Sequence, residues 1–295
     1  MRHVSTKVIV YGQFISVLLT ICSTTSQFLS PYKIPTFQLL LTYSVLCIYV
    51  LYYRYIQRHY YYVIIAFLDV LANYCLIKAY QYTDLLSISL LNRLSIPIVM
   101  ALSWYFLNAS YTLKHYIGMI TCVFGSFMVV YIDYHRKTGG QSSWIGDVLC
   151  VSGASLYAMA NVLQEYLVKE FTIQEYLTSI GGYGFIFSLL LMGVEYKEWF
   201  HFNAVDMHGA LYLSLFAFSM LLLYSFVPRL IIKSSATMFN LSILTSDVFN
   251  LVVGVVVFGL EMTWLYLVAF VVILIGLGIF HSNNDKQEEN KVSIV

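Results

Sequence analysis

Charged residues are scarce in this sequence, and neither sign is in clear excess. Asp, Glu, Lys and Arg make up 11% of the 295 residues, and the formal net charge is +1. The chain therefore lacks the basic surplus typical of nucleic-acid-binding proteins, and it lacks an acidic tract, so we expect no nucleic-acid partner. Because 60% of the residues are hydrophobic, more than a soluble domain carries, the composition predicts a polytopic protein surrounded by a lipid bilayer.

The sequence also lacks the spacings of common catalytic and metal-binding motifs. Its five cysteines lie in apolar runs, with no loop pair that would predict an extracellular disulfide. It has no Walker loop, no H-E-x-x-H, no paired Cys/His spacing and no G-x-S-x-G elbow. We predict no catalytic residue, no metal, no cofactor and no direct use of ATP. An intramembrane aspartyl enzyme built on Asp69 and Asp247 is a remote alternative, because neither residue has the glycine-flanked setting of such proteases.

Hydrophobic runs fill most of the chain and can be divided where charged or turn residues intervene. A bilayer core of about 30 Å takes about 20 residues of helix, and the longest run is divided between Pro228 and Lys233. The first run is too long and too rich in Ser and Thr for a cleavable signal peptide. This division predicts ten membrane-spanning helices, near 8–29, 35–53, 60–80, 84–107, 111–131, 145–167, 175–194, 208–228, 233–258 and 262–281.

Lys and Arg predict the orientation, because these residues collect in cytoplasmic loops. With the N-terminus inside, the cytoplasmic loops and tails hold about twice as many basic residues as the opposite side. Both termini are therefore predicted to be cytoplasmic, with residues 282–295 as a disordered tail.

Two constant offsets relate the halves of the chain. One places Ser89 on Asn240 and Gly125 on Gly276, and a second places Gln27 on Glu165. Five spans followed by five related spans make a duplicated odd-numbered unit, whose second copy must cross the membrane upside down. The all-α fold is thus predicted to consist of two inverted five-helix repeats, 1–135 and 144–281, with a substrate site near the midplane and transport by alternating access.

Polar residues at helical spacing predict which faces turn inward, because an unpaired polar group facing lipid is costly. One interpretation of such stripes is that they form hydrogen bonds between helices and have no contact with a substrate. Ionisable groups within a membrane are more often functional. The polar faces are Gln13, Ser16, Thr20, Ser23 and Gln27 on the first span, Asp69 and Asn73 on the third, Tyr157, Asn161, Gln164 and Glu165 on the sixth, and Asn240 and Asp247 on the ninth.

The stretch SLLNRLSIPIVM places Arg93 near the middle of the fourth predicted span. A guanidinium at this depth needs a counter-charge or water. The first offset places Asp247 one helical turn from Arg93 on the same face, which makes it the expected counter-ion, with Asp69 as the rival and an anionic substrate group as a further alternative. Pro97 cannot donate to the carbonyl of Arg93, so we predict a helix kink there.

Five longer stretches resemble solute carrier family 35, subfamily F, of the drug/metabolite transporter superfamily. The resemblance runs from about Gln13 to Phe280 and implies a ten-helix inverted-repeat carrier related to nucleotide-sugar transporters. The stretches are LANYCLIKAYQYT from Leu71, IPIVMALSW from Ile96, GDVLCVSGASLYAMANVLQEYLVK from Gly146, VEYK from Val194 and LYSFVPRLIIKSSATMFNLSILTSD from Leu223.

The resemblance also implies a substrate class and a set of site residues. The associated solutes are nucleobase- or nucleoside-like micronutrients of the queuine/queuosine type and flat organic drugs. A nucleotide-sugar antiporter of the Golgi or ER is the alternative, and a membrane scaffold without transport is a remote one. The positions that match the subfamily are Asp69, Asn73, Tyr74, Tyr157, Asn161, Glu165, Tyr224, Asn240 and Asp247.

Asn92 and Arg93 depart from the subfamily, which reads LLDC where this chain reads LLNR. Together with Gln27 they complete the predicted cavity set. The predicted partners are a small-molecule substrate and the bilayer, with a homodimer and a PDZ-type contact at Val295 left open. The plasma membrane is the preferred location, with the Golgi and endomembranes as the alternative.

Overall fold

The computed structural model describes residues 6–52, 59–95, 98–99, 101–102, 112–135, 144–197, 205–233, 236–260 and 263–281. All regular secondary structure in these ranges is helical, and short 3-10 helices follow α1 at Ser30–Tyr32 and α5 at Asn92–Leu94. The α-helices are α1 Thr6–Leu29, α2 Pro35–Leu46, α3 Ile48–Tyr52, α4 His59–Ala79, α5 Leu85–Leu91, α6 Leu113–His135, α7 Trp144–Glu170, α8 Ile173–Val194, α9 Met207–Lys233, α10 Ala236–Val256 and α11 Trp264–His281.

Five helical segments are long and apolar enough to cross a membrane. They are Val10–Tyr32, Tyr60–Ala79, Trp144–Val168, Ile173–Val194 and Met207–Leu230. Shorter apolar helical segments cover Pro35–Leu51, Leu85–Leu94, Ser246–Val256 and Trp264–Gly276. All of these segments fall on ranges predicted to span the membrane. The predicted tail at 282–295 lies outside the described residues.

Side-chain caps begin several of these helices where the sequence supplies an acceptor. Asp84 accepts from the backbone N–H of Ser87 at the start of α5, and Thr172 accepts from that of Glu175 at the start of α8. Each cap satisfies one of the donors that the first helical turn leaves free.

Two predicted boundaries differ from the structure. The helix α9 continues through Pro228 to Lys233 instead of ending at 228. The predicted span 35–53 is interrupted at Cys47, between α2 and α3, where α8 comes close. Thr178 on α8 donates to the carbonyl of Tyr49 at 3.2 Å, and a Cβ added at Gly181 would lie 2.6 Å from the carbonyl oxygen of Leu46. Contacts with α8 that hydropathy does not record therefore accompany the break.

The polar face predicted along α1 is buried over part of its length. Ser16, Thr20 and Gln27 are buried, whereas Gln13 is exposed, so its predicted inward position is wrong. The hydroxyls of Ser16 and Thr20 donate to backbone carbonyls four residues earlier, which satisfies them within the helix itself.

The helices pack in pairs that join the two halves of the chain. The helix α1 contacts α9 and α10, α4 contacts α7 and α8, α2 contacts α8 and α9, and α6 contacts α11. Tyr43, Tyr62 and Leu177 belong to one apolar core cluster, and Leu91 and Tyr266 belong to a second.

Glycines bring the α6 and α11 backbones into close contact. A Cβ added at Gly125 would lie 2.5 Å from a side-chain carbon of Ile273. A Cβ added at Gly276 would lie 2.8 Å from the backbone nitrogen of Cys122 and 2.9 Å from the carbonyl oxygen of Gly118. Neither position has room for a larger residue without a shift of the partner helix.

We predict opposite effects for alanine at two glycines of α11. Gly276→Ala should destabilise the protein by about 1–3 kcal/mol, because the added methyl group meets backbone atoms. Gly278→Ala is the matched control, since a Cβ there meets nothing within 4 Å, and alanine normally stabilises a helix by about 0.5–1 kcal/mol over glycine. Thermal unfolding in detergent would measure both changes. A stable Gly276→Ala protein would contradict the close contact.

Candidate functional site

A cavity of about 280 Å³ lies among helices of both halves of the chain. Residues of α1, α4, α5, α7, α8, α9 and α10 line it, and so do residues of the 3-10 helix after α5. Its polar lining includes Ser23, Ser26, Asp69, Asn73, Ser89, Asn92, Arg93, Ser95, Asn161, Gln164, Ser246 and Asn250.

The carboxylate of Asp69 is the acceptor at the centre of a polar network that joins four helices. Its Oδ2 accepts from the hydroxyl of Tyr43 at 2.8 Å and from that of Tyr224 at 2.5 Å. The side-chain amide of Asn73 lies 3.2 Å and 3.0 Å from the same two phenol oxygens. Its carbonyl oxygen in turn accepts from the hydroxyl of Tyr157 at 2.5 Å. The network fixes α2, α4, α7 and α9 relative to one another.

Arg93 and Asp247 form a buried ion pair beside this network. Arg93 Nε donates to Asp247 Oδ2 at 2.7 Å and Nη2 donates to Oδ1 at 2.5 Å, in the two-point geometry favoured between guanidinium and carboxylate. The side chains are 8% and 2% exposed. The structure confirms Asp247 as the counter-ion and excludes the rival pair with Asp69. One turn away, the amide of Asn250 donates to the hydroxyl of Ser89 at 2.9 Å, which adds a second polar contact between α5 and α10.

The backbone changes geometry at the ion pair. The α-helical hydrogen bonding of α5 ends at Leu91, and Asn92–Leu94 form a 3-10 turn that carries Arg93. The kink predicted at Pro97 lies outside the described residues. The change of helix type places Asn92 and Arg93 together on the cavity wall.

Seven residues of the predicted set line the cavity. They are Asp69, Asn73, Asn92, Arg93, Tyr157, Asn161 and Tyr224. Asp247 reaches the cavity only through Arg93. Gln27 is buried and is not among the residues that line the cavity, although Ser23, one turn earlier on α1, lines it. Glu165 lies on α7 and Asn240 on α10, but their side chains are outside the described part of the chain.

Several residues of the site were not predicted. Asn250 lies one helical turn beyond Asp247, so helical spacing alone could have indicated it. Tyr80 lines the cavity from the turn after α4, and Tyr176 lines it from α8, for which no polar face was predicted. Tyr43 bonds Asp69 from α2, which the sequence marks only as apolar.

A separate polar cluster joins the ends of α4 and α8. Lys78 Nζ lies 2.6 Å from Glu195 Oε1, and the hydroxyl of Tyr74 bonds both side chains. The hydrogen bond from Lys78 holds the pKa of the Glu195 carboxyl below its ordinary value. The pair is partly exposed, which distinguishes it from the buried pair at Arg93.

Comparison with known proteins assigns the chain to a family. The family described as SLC35F, Solute carrier family 35, matches residues 2–282. The chain belongs to this family. It is 40% identical over 238 residues to solute carrier family 35 member F2 of Mus musculus, a match that covers 79% of the chain and 63% of that protein.

Two further relatives extend the similarity within family 35. Member F2 of Xenopus tropicalis is 38% identical over 236 residues, with 77% of the chain and 60% of that protein covered. An uncharacterized family 35 member of Schizosaccharomyces pombe is 34% identical over 298 residues, with 95% and 58% covered. The chain thus spans about six tenths of the length of these curated relatives.

A solved structure also shows the fold of the family 35 chain. A crystal structure of another protein superimposes on 96% of the chain and 99% of its own length, with a TM-score of 0.62 and 12% sequence identity. At that identity the match establishes a shared fold and nothing about substrate. Family membership and the apolar helices together indicate an integral multi-pass membrane protein of a solute-carrier family.

For this family 35 protein we predict strong coupling between Arg93 and Asp247. Arg93→Gln or Asp247→Asn alone should cost about 3–5 kcal/mol, because each leaves an unmatched buried charge. The double variant should lose much less than the sum, since two neutral amides remain. Thermal unfolding of the purified protein would measure the coupling.

The matched control is the pair at the helix ends. Lys78→Gln and Glu195→Gln should each cost about 0–1 kcal/mol, because that pair is partly exposed. Additive losses at Arg93 and Asp247, equal in size to those of the control pair, would contradict a buried pair that is essential for folding.

Proposed function

We propose that this family 35 protein carries a small polar organic solute, nucleobase- or nucleoside-like, across a membrane by alternating access. The movement is secondary-active or facilitative, and the plasma membrane is the preferred location. The observation that supports the proposal is the cavity between helices of both halves, with hydrogen-bonding side chains on opposite walls. A site at the meeting of two repeats is where alternating-access carriers bind their substrates.

The helix contacts support two related five-helix repeats. Ten crossings and inversion of the second repeat follow from the odd number of predicted spans in each, and cytoplasmic termini from the distribution of Lys and Arg. In such a repeat α1 corresponds to α7 and α4 to α9, and the contact of α1 with α9 mirrors that of α7 with α4. The contact of α2 with α9 similarly mirrors that of α8 with α4.

Individual residues follow the same symmetry. The offset that relates Gly125 to Gly276 also relates Cys122 to Ile273, and each glycine packs against the helix position three residues before its counterpart. Asn73 and Tyr224 are related by the same offset and are hydrogen-bonded to each other. Pairs that meet their own counterparts are expected beside a pseudo-twofold axis.

The chemistry of the walls supports a flat polar ring as the transported group. The rings of Tyr157, Tyr176, Tyr224 and Phe216 line the cavity, and aromatic side chains bind planar ligands by stacking. The side-chain amides of Asn161 and Gln164 line the same space and can donate to and accept from the edge of a nucleobase.

A nucleotide-sugar substrate has less support from this site. Such a solute carries phosphate groups that require cationic partners, and both Arg93 Nε and Nη2 already bond Asp247. The cavity volume of about 280 Å³ is also slightly below the roughly 300–1,000 Å³ that is usual for ligand sites. The nucleotide-sugar antiporter is therefore the second candidate.

Uptake by the purified protein in liposomes tests the proposal. We expect saturable accumulation of at least one labelled nucleobase or nucleoside, and no exchange of nucleotide sugars against nucleoside monophosphates. Tyr157→Phe should lower uptake about tenfold, because it leaves the carbonyl of Asn73 without its donor while the ring remains.

Tyr116→Phe provides the matched control, since that ring is exposed on α6 and does not line the cavity. It should leave uptake unchanged. A broad panel with no saturable uptake by folded protein would remove the support for a carrier. Preferential exchange of nucleotide sugars would instead favour the second candidate.

A further inference from the structure

The charges that face the cavity do not cancel. Among the described residues that line it, the acidic and basic side chains are Asp69 and Arg93. Asp247 neutralises Arg93 through the two-point pair. In the described part of the chain, no Lys, Arg or His nitrogen lies within 4 Å of the Asp69 carboxylate. With the ion pair counted as neutral, the described residues that line the cavity present one negative group, Asp69.

The hydrogen bonds around Asp69 are directional and end on its carboxylate. The amide nitrogen of Asn73 lies within hydrogen-bond distance of the phenol oxygens of Tyr43 and Tyr224 and of the backbone carbonyl of Asp69. The hydroxyls of both tyrosines donate to Asp69 Oδ2. The hydroxyl of Tyr157 donates to the carbonyl oxygen of Asn73 and thereby fixes which way this amide is turned. Oδ2 is thus an acceptor that the protein itself satisfies.

The other oxygen of Asp69 is available to a ligand. Within the described residues Oδ1 has no hydrogen-bond partner, whereas Oδ2 has two. Asp69 is 6% exposed and lines the cavity. A carboxylate oxygen that faces the cavity and has no partner in the described part of the protein can accept from a ligand, and a positively charged donor is its most favourable partner.

Aromatic rings surround the same space. Tyr80, Tyr157, Tyr176, Tyr224 and Phe216 all line the cavity that Asp69 faces. The face of an aromatic ring attracts a cation, and the attraction grows when water is excluded. A carboxylate set among aromatic rings is therefore suited to an organic cation and disfavours an anion.

We propose that the transported solute carries a positive charge on or beside its flat ring, and that Asp69 Oδ1 receives this charge among the surrounding tyrosines. The inference rests on the proposed transport function for its biological meaning. It does not require transport for its test, because the binding it predicts occurs without movement of the solute.

Three probes that share one ring system test the charge preference. They are N-methylquinolinium, which is a fixed cation, quinoline, which is uncharged at pH 7.4, and quinoline-2-carboxylate, which is an anion. Equilibrium binding would be measured by calorimetry on the wild-type protein in nanodiscs made of uncharged lipid. We expect the cation to bind about tenfold more tightly than quinoline, and the anion to bind least tightly.

Asp69→Asn tests the residue, because asparagine keeps the size and the acceptor oxygen but loses the charge. The variant should bring the cation and quinoline to nearly equal affinity while the affinity for quinoline stays unchanged. Asp84→Asn is the matched control. It is a buried aspartate that caps α5 and does not line the cavity, and asparagine caps a helix equally well. It should keep the wild-type preference.

Each outcome decides a separate question. Equal affinity for all three probes, or preference for the anion, would overturn the inference even if uptake of a solute were found. A preference for the cation that persists in Asp69→Asn would also overturn it, by placing the charge preference elsewhere. Preference for the cation with no measurable uptake would uphold the inference and count against the carrier. If Asp69→Asn does not fold, the wild-type probe series still decides.

Uncharged quinoline that binds as tightly as the cation, with uptake driven by a proton gradient and lost in Asp69→Asn, would contradict the inference in a specific way. It would assign Asp69 to a coupling proton instead of to the solute. The probe series separates the two roles, because a bound proton neutralises the carboxylate and removes its preference for a cation.

Discussion

A guanidinium buried among apolar helices needs an oppositely charged partner. The arrangement of the rest of this site depends on the partner that Arg93 has. Asp247 binds it through two hydrogen bonds across the interface of α5 and α10. The pair fixes the position of the 3-10 turn, and with it the polar wall formed by Asn92, Ser89 and Asn250. Because Asp247 neutralises Arg93, Asp69 is the one charged group without an oppositely charged partner among the described lining residues.

The two buried carboxylates therefore have different kinds of partner. Asp247 forms an ion pair with Arg93, which neutralises its charge. Asp69 is held by two phenols and an amide whose own bonds are fixed by Tyr157. Neutral donors hold a carboxylate in place without cancelling its charge, whereas a guanidinium does both. Similar residues at similar depth can thus serve folding in one case and recognition in the other.

The sequence allowed the apolar helices, the inward faces of α4 and α7 and the partner of Arg93 to be predicted. Those features depend on hydropathy, helical spacing and charge balance, which are local or follow from a repeat. The break between α2 and α3 could not be predicted, because it accompanies contacts with Thr178 and Gly181 far along the chain. Tyr43 was missed for a similar reason: an isolated tyrosine in an apolar helix shows its role only when Asp69 is placed beside it. Gln27 shows the converse, since it is buried without lining the cavity, whereas Ser23 of the same polar face lines it.

The contact between α6 and α11 limits how the two halves can move. At Gly125 α6 packs directly against Ile273 of α11, and at Gly276 α11 packs directly against Cys122 and the backbone of Gly118 on α6. Because these atoms are in such close contact, sliding one helix along the other would bring them into steric collision. They can still roll about the line where they touch. At this contact, rolling of one helix on the other is therefore less obstructed than sliding, whatever movement the two halves make.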